Sequence, residues 1–434
     1  MAEEPVGSRF DEERGAVVHL VSWTVLGIVS GLLAGVSSFV FLDVLDRATR
    51  YRVEHHWIVW ILPLAGLAIG LVYHYVGGDA RRGTALLIDE IHEPSRWVPR
   101  RMAPLVLIGT WTSHLFGASV GREGTALQMS ASLTDNVSRI LRVRPTDRRI
   151  LLSTALAAGF GAVFGVPLAG AVFALEVQTV GRIRYEALVP GLAASVTGNL
   201  VVGALGYEHA QMPMVAVHLS ATLALRIAIA GVAFGLAGAV FAWLTHSIKR
   251  FMERMIRWAP LRPAAGGIAL IGLAALAGRD YLGLSIPIIT RSVSGEHVGF
   301  AVFALKLVFT AVALGCSFPG GEVTPLFVIG SSLGAALSSP LHVPVTLLAA
   351  VGFVAVFAGA SNTPLACSIM AVELFGGQIA APAAIGCVVA YVFSRHQGIY
   401  ATQRHESRKH HPWMFNRVDR PESGRSPQEP PTDI

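Results

Sequence analysis

Long apolar stretches broken by short charged segments set the first limit on what this chain can fold into. Val17–Leu42, Trp57–Tyr75, Leu223–Trp243 and Leu374–Phe393 come close to or exceed the roughly 20 residues a helix needs to cross a hydrocarbon core. Only 14% of residues are charged and 53% are hydrophobic, whereas a soluble domain carries about a quarter charged residues. The ~10-residue alternating segments of a membrane barrel do not occur. The expected fold is all-α and polytopic in a membrane. Residues 1–14 are acidic and polar, and the apolar run that follows exceeds the core of a secretory signal, so no cleaved leader is expected.

The net charge of +6 is carried mostly between the apolar runs. Arg139, Arg142, Arg144, Arg148 and Arg149 form one group, and Lys249, Arg250, Arg254, Arg257 and Arg262 another. Arg395, Arg404, Arg408 and Lys409 form a third near the C-terminus. Such clusters flank cytoplasmic membrane faces, which places the C-terminus in the cytoplasm and argues against nucleic acid as a partner. The loops do not fit a simple alternation of sides, which implies short, tilted or re-entrant helices. Cys316, Cys367 and Cys387 all lie in apolar segments and read as reduced packing residues.

The chain also repeats itself. Phe116-Gly-Ala-Ser-Val-Gly-Arg-Glu-Gly-Thr125 is matched by Cys316-Ser-Phe-Pro-Gly-Gly-Glu-Val-Thr-Pro325, which sets Glu123 and Glu322 199 positions apart. Pro167-Leu-Ala-Gly-Ala-Val-Phe-Ala-Leu-Glu176 is matched by Pro364-Leu-Ala-Cys-Ser-Ile-Met-Ala-Val-Glu373, 197 positions on. Paired halves of this kind are a common plan of secondary transporters. The expected division is an N-terminal cytoplasmic segment 1–16, a first membrane repeat 17–206, a linker 207–219, a second repeat 220–403, and a disordered cytoplasmic tail 404–434.

Three Gly-rich segments, Gly83-Thr-Ala85, Gly121-Arg-Glu-Gly124 and Gly320-Gly-Glu-Val-Thr-Pro325, open apolar stretches. A helix that starts at membrane depth directs free N–H groups and the positive end of its dipole at its surroundings, and an anion is the natural guest. Glu123 and Glu322 are ionisable groups in apolar sequence and so are functional candidates. A carboxylate beside an anion site can occupy that site when ionised and leave it when protonated, coupling anion to proton. Thr84, Thr324 and Tyr400 add hydroxyl donors suited to a small, hard anion. Gly83, Gly121, Arg122 and Gly124 complete the expected anion-binding set, with Phe318 and Thr125 as secondary positions.

Other polar residues read as structural. Glu176 and Glu373 close apolar helices and are expected to cap or pair. Lys306 lies in Phe303–Ala313 and is expected to hold a carboxylate or carbonyl. Asp89-Glu-Ile-His-Glu93 lacks zinc-helix spacing and reads as a solvated charged loop. His396, His405, His410 and His411 read as surface tail residues. No phosphate loop is present, so direct ATP drive is not expected, and no cofactor or metal is implied.

Gly121-Arg-Glu-Gly124, Gly320-Gly-Glu-Val-Thr-Pro325 and Ala158-Gly-Phe-Gly-Ala-Val-Phe-Gly-Val-Pro-Leu-Ala-Gly170, through to Glu176, resemble the CLC family of chloride channels and proton-coupled antiporters. Gln397-Gly-Ile-Tyr400 is similar to its tyrosine segment. The resemblance covers about Val17 to Gln403. It implies inverted repeats, a homodimer and one pathway per subunit. Thr125 stands where chloride types have proline, Glu322-Val-Thr replaces their x-Phe-Ala, Arg82–Ile88 replaces their Gly-Ser-Gly-Ile-Pro loop, and Val177 replaces an inner proton glutamate. These departures resemble the bacterial fluoride/proton antiporter branch. Thr84 differs from that branch, which more often has methionine or asparagine there. Its hydroxyl is closer to the serine of chloride types and points to relaxed selectivity.

By this resemblance Glu123 gates and carries the proton, Glu322 and Thr324 serve the inner proton route and the central site, and Tyr400 completes the anion coordination or the inner gate. The expected function is fluoride export across a bacterial inner membrane, driven by protons. The alternative is a chloride or nitrate antiporter or channel. No nucleophile–base constellation supports an enzyme.

Overall fold

The computed structural model of this chain describes residues 6–394 and 398–405. Arg395, His396, Gln397 and positions 406–434, including Arg408, Lys409, His410 and His411, lie outside the described residues, as does most of the tail expected to be disordered. Sixteen α-helices are described, eight on each side of a helix-free segment from 207 to 220. The first half comprises α1 (Val6–Glu54), α2 (Leu62–Val76), α3 (Thr84–His92), α4 (Met102–Phe116), α5 (Glu123–Ile140), α6 (Pro145–Phe164), α7 (Pro167–Glu176) and α8 (Leu188–Ala204). The second half comprises α9 (Ala221–Met255), α10 (Leu261–Ala277), α11 (Ile286–Val293), α12 (Phe300–Gly315), α13 (Val323–Leu341), α14 (Val345–Ser361), α15 (Pro364–Phe375) and α16 (Ala380–Phe393). Their order and relative lengths repeat, so α5 answers to α13, α7 to α15, and the short α3 to the short α11.

Among the described residues, five segments are long and apolar enough to span a membrane, including Val17–Glu54 and Ala221–Met255. Most of the remainder have 17 residues or fewer, which is why the basic clusters do not alternate simply. The long first helix begins at Val6, inside the segment set apart as residues 1–16. The run Leu374–Phe393, read as one span, is broken. α15 stops at Phe375, Gly376 takes φ +91°, and a single 3₁₀ turn precedes α16. A left-handed glycine cannot continue a helix, so the apolar run belongs to two elements.

Close helix packing rests on small residues placed four apart. A Cβ on Gly27 or Gly31 of α1 would lie 2.6 Å from Pro190 O or 2.5 Å from Ala194 O of α8. The equivalent pair in the second half is α9 on α16, where a Cβ on Gly235 would lie 2.4 Å from Ala390 O. Between helices in lipid, where no hydrophobic drive operates, such backbone approach supplies the association energy.

The halves meet about a two-fold relation written in reciprocal bonds. Glu176, ending α7, accepts Leu365 N (3.0 Å) and Ala366 N (2.8 Å) at the start of α15. Glu373, near the end of α15, accepts Leu168 N and Ala169 N at the start of α7, both at 2.8 Å. Each carboxylate thus caps the other half's helix, and the two helices lie antiparallel. Both glutamates are structural in this arrangement. Removing the Glu373 carboxylate leaves two helix N–H groups without acceptors. Glu373→Ala is therefore expected to cost about 1–3 kcal/mol, read as a lower melting temperature of the detergent-solubilised protein. An unchanged melting temperature would show the cap to be dispensable.

Two segments depart from expectation. Arg404–His405 pairs as a short parallel strand with Thr179–Val180, so the chain past Gln403 is still ordered at this point. Asp89–His92 is not a solvated loop but the end of α3, with Glu90 3% and His92 5% exposed. The reason is a buried cation. The Arg148 guanidinium contacts Glu90 at 2.9 Å and Asp135 at 2.6 Å.

Candidate functional site: a carboxylate at the junction of the two halves

α5 and α13 start side by side. Gly121 and Gly321, just ahead of them, form an isolated antiparallel bridge with Gly121 N on Gly321 O (2.5 Å) and Gly321 N on Gly121 O (2.8 Å). Only glycine fits. A Cβ on Gly321 would lie 2.7 Å from Gly124 N and 2.8 Å from Glu123 Oε2, and one on Gly121 would lie 2.5 Å from the same oxygen. Two helix N-termini therefore converge without a side chain between them, which concentrates partial positive charge where Glu123 sits.

Glu123 is the first residue of α5 and is fully buried. Its Oε2 accepts Arg122 N at 3.1 Å, and its Oε1 accepts the hydroxyl of Thr324, a buried residue in the first turn of α13. The carboxyl group thus stands where an anion would, in a set of N–H and O–H donors contributed by both halves. A partnership of Glu123 with the Arg122 guanidinium is not what the structure contains. That guanidinium donates instead to Tyr207 Oη at 3.3 Å, in the segment linking the halves.

The bridge corrects the sequence register of the repeat. It makes Gly121 and Gly321 equivalent, 200 positions apart, and α5 and α13 start at the same spacing. Glu322 is therefore the counterpart of Arg122, and Val323 that of Glu123. The two carboxylates are not symmetry mates. Glu123 points into the junction, while Glu322 precedes α13 and is only half-buried.

Tyr400 is 7% exposed and lies within coulombic range of both Glu123 and Glu322. Its segment is held by Ile399 N on Ala360 O (2.9 Å), by Asn362 Nδ2 on Gln403 Oε1 (2.8 Å), by Gln403 Nε2 on Val177 O (2.9 Å), and by Thr402 Oγ1 on Ala85 O (3.3 Å). The last bond brings it to the start of α3. There Gly83 has φ +56° and Thr84 opens the helix. Gln128 Nε2 donates to the Thr84 hydroxyl at 3.4 Å, so the hydroxyl hydrogen is left to donate elsewhere. Thr125 is engaged with Thr110 of α4 at 2.6 Å. Phe318 and Gly83 both line a cavity of about 400 Å³ that reaches Gly320 at the junction. A smaller cavity of about 100 Å³ touches Arg122 and Thr324 and is covered by His209–Pro213 of the linking segment.

Gln128, Tyr207 and the buried His114, whose Nε2 lies 3.4 Å from Gly121 O, were not singled out from sequence. Gln128 falls one helical turn after Gly124, a spacing that shares its face; nothing comparable marks Tyr207 or His114. Lys306 is fully buried but has no carboxylate partner. It donates to Ser119 Oγ, Ser285 Oγ and the carbonyls of Tyr281 and Gly283 at 2.7–3.2 Å, and so fixes the turn that starts α11. No metal-holding cluster occurs among the described residues.

Gly321→Ala is expected to displace the Glu123 carboxylate, since a flexible escape is blocked by Gly124 N. Overpacking of this kind costs about 1–3 kcal/mol. Anion flux measured in liposomes should fall at least about tenfold, one decade per 1.4 kcal/mol, while the protein remains monodisperse. Wild-type flux would show the junction to be looser than its geometry.

The family model described as voltage gated chloride channel matches residues 65–395. A relative from Pseudomonas syringae pv. tomato, described as a chloride/fluoride channel protein, is 47% identical over 421 residues, covering 95% of this chain and 92% of that protein. An H(+)/Cl(−) exchange transporter of Salmonella arizonae is 26% identical over 420 residues, covering 87% of each. Among solved structures, a CLC-type fluoride/proton antiporter superposes with a TM-score of 0.86 at 33% identity, over 89% of this chain and 98% of that one. A slow cyanobacterial Cl−/H+ antiporter shares the fold at 20% identity, TM-score 0.77, over 86% of this chain and 94% of that one. Together with the inverted pair of eight-helix halves and the carboxylate at their junction, these matches place the chain in the CLC family of polytopic membrane anion transporters and channels.

Proposed function

We propose that this protein exchanges fluoride for protons and exports fluoride from the cytoplasm across a bacterial inner membrane. The observation that carries the proposal is the Glu123 carboxylate held by Thr324 and the Arg122 amide at the meeting point of two helix N-termini. A carboxylate in that position competes directly with a small anion for the same donors. Protonation removes its charge, weakens its hold on those donors and releases them to the anion. Fluoride, the smallest and hardest halide, gains most from N–H and O–H donors in a dry site. The structure with TM-score 0.86 is described as a fluoride/proton antiporter, which supports this reading, while the Pseudomonas relative's name covers both chloride and fluoride.

In this reading Glu123 carries the proton and alternates with the anion. Gly121, Gly124 and Arg122 supply backbone donors, Thr324 supplies the central hydroxyl, Thr84 and Gly83 the start of α3, and Tyr400 the inner end. Glu322 serves the inner proton route. The C-terminal face is cytoplasmic, and two copies assemble as a homodimer with one pathway each, as the family resemblance implies.

A chloride/proton exchanger or channel is the second reading. It is favoured by one observation, the Thr84 hydroxyl beside Gln128 in place of an apolar or amide side chain. The test is efflux from liposomes containing the purified protein, with fluoride, chloride and internal pH followed together. Fluoride efflux with matched proton uptake supports the first reading; chloride flux of equal or greater size supports the second. Thr84→Met removes the hydroxyl and should raise the fluoride-to-chloride flux ratio severalfold, in line with about 1 kcal/mol for one hydrogen bond. An unchanged ratio would mean that Thr84 does not set selectivity.

A further inference from the structure

α1 ends on a buried cation that the protein leaves unpaired. Arg52 is 8% exposed, yet its Nε has no hydrogen-bond partner, and no carboxylate among the described residues is close enough to act on its charge. Packing, rather than bonding, fixes the side chain. Gly117 and Gly283, both at positive φ, lie against it; a Cβ on the first would lie 3.5 Å from its Cδ, and one on the second 2.7 Å from its Nη2. Lys306 and His114, which lie within coulombic range of it, are bases as well. A buried guanidinium without a counter-charge is costly unless something else supplies one.

Arg52 lines a cavity of about 320 Å³ between the end of α1 and the turn that starts α11. Thr49, one turn earlier on the same face of α1, lines it too, and its hydroxyl is also buried without a partner. The acids on the wall are engaged or remote. Asp46 takes the Tyr207 hydroxyl, and Asp280 is exposed at the rim beside the equally exposed Arg279. At Arg52 and Thr49 the wall therefore offers N–H and O–H donors that no protein acceptor takes. Ile286 alone is shared with the cavity that touches Arg122 and Thr324, and Glu123 lines neither.

We propose that this cavity binds a small planar oxyanion of the carboxylate type. The Nε–H and one terminal N–H of a guanidinium form a parallel fork that matches the two oxygens of one carboxylate. An unpartnered Nε with a free hydroxyl one turn away is that fork with a third donor beside it. A single-atom halide meets both arms only off their axes. The volume stands at the small end of ligand pockets, which suits an anion of a few atoms with its water. α2 runs from this end of the molecule toward Thr84, where Thr402 bonds Ala85 O, so the site lies away from the C-terminal segment. It is independent of which halide the protein carries.

The test follows thermal unfolding of the full-length protein in neutral detergent while sodium formate replaces sodium chloride at constant ionic strength. A saturable rise in the unfolding midpoint of about 2 °C or more is expected, because a ligand held by the folded state alone stabilises it. Arg52→Lys keeps the charge but loses the fork, and should weaken the apparent affinity for formate at least about tenfold. Thr49→Val removes a hydroxyl that has no protein partner. It should leave the midpoint in chloride at or above wild type and weaken formate about threefold or more, which keeps the result readable if Arg52→Lys folds poorly. A midpoint that shows no saturable rise with formate would overturn the proposal and leave the cavity to water. Equal formate shifts in wild type and both variants would overturn it as well, by placing the formate elsewhere, the Glu123 junction included.

Discussion

Glu123→Gln is expected to abolish proton uptake while leaving the fold intact. The glutamine is isosteric and its carbonyl oxygen can still accept the Thr324 hydroxyl, so the junction keeps its shape at the loss of the Arg122 N–H bond, which the carboxylate takes on its other oxygen. What it lacks is a second protonation state. A positioned acid–base group contributes about 10²–10⁴-fold to a proton transfer, and coupled proton uptake should fall by at least the lower figure, to the background of empty liposomes. Passive anion flux is expected to persist, because the amide no longer occupies the site as a charge. The decisive measurement is internal pH recorded together with fluoride efflux in the same liposomes. Proton uptake that still tracks fluoride in the variant would remove Glu123 from the proton path and leave Glu322, on the other half, as the group to examine next.

That asymmetry between the two glutamates illustrates what was legible in the sequence. The repeat was visible from the two motif pairs, as was the all-α membrane fold, because apolar length and small-residue spacing are local properties. The register was not. Aligning glutamate with glutamate is the natural reading of letters, yet the bridge aligns glycine with glycine, because backbone approach, not charge, fixes how the helix starts meet. The same limit hid the α15–α16 break, where Gly376 supplies a left-handed turn inside an apolar run. It also hid the burial of Glu90, since a charge run looks solvated until a distant arginine, 58 positions away, is brought against it. The Thr324–Glu123 contact joins residues 201 positions apart, and no local pattern encodes it.

Arg148→Met is expected to cause the largest loss of stability in the protein. The Arg148 guanidinium makes two bonds to Asp135 (2.6 and 3.0 Å) and one to Glu90 (2.9 Å), donates to Arg96 O (2.8 Å), and lies 4.8 Å over the Trp97 ring. Its side chain is 5% exposed, and those of Glu90 and Asp135 are 4% and 1%. The carboxylates also accept Ser95 N, Arg96 N and Val98 N, so they cannot turn away to solvent. Removing the cation leaves two buried negative charges facing each other, a change that costs about 3–5 kcal/mol. The network ties α3 to α5 and α6, that is, Thr84 to Glu123. Anion flux should therefore fall with stability. Neutralising the acids in the same background, as Arg148→Met with Glu90→Gln and Asp135→Asn, removes the repulsion and should recover more than half of the lost stability. Thermal unfolding in detergent separates the outcomes. A single variant within about 0.5 kcal/mol of wild type would mean that water or rearrangement screens the acids. A triple variant no better than the single one would mean that the packing of the guanidinium over Trp97, rather than its charge, holds the three helices in register.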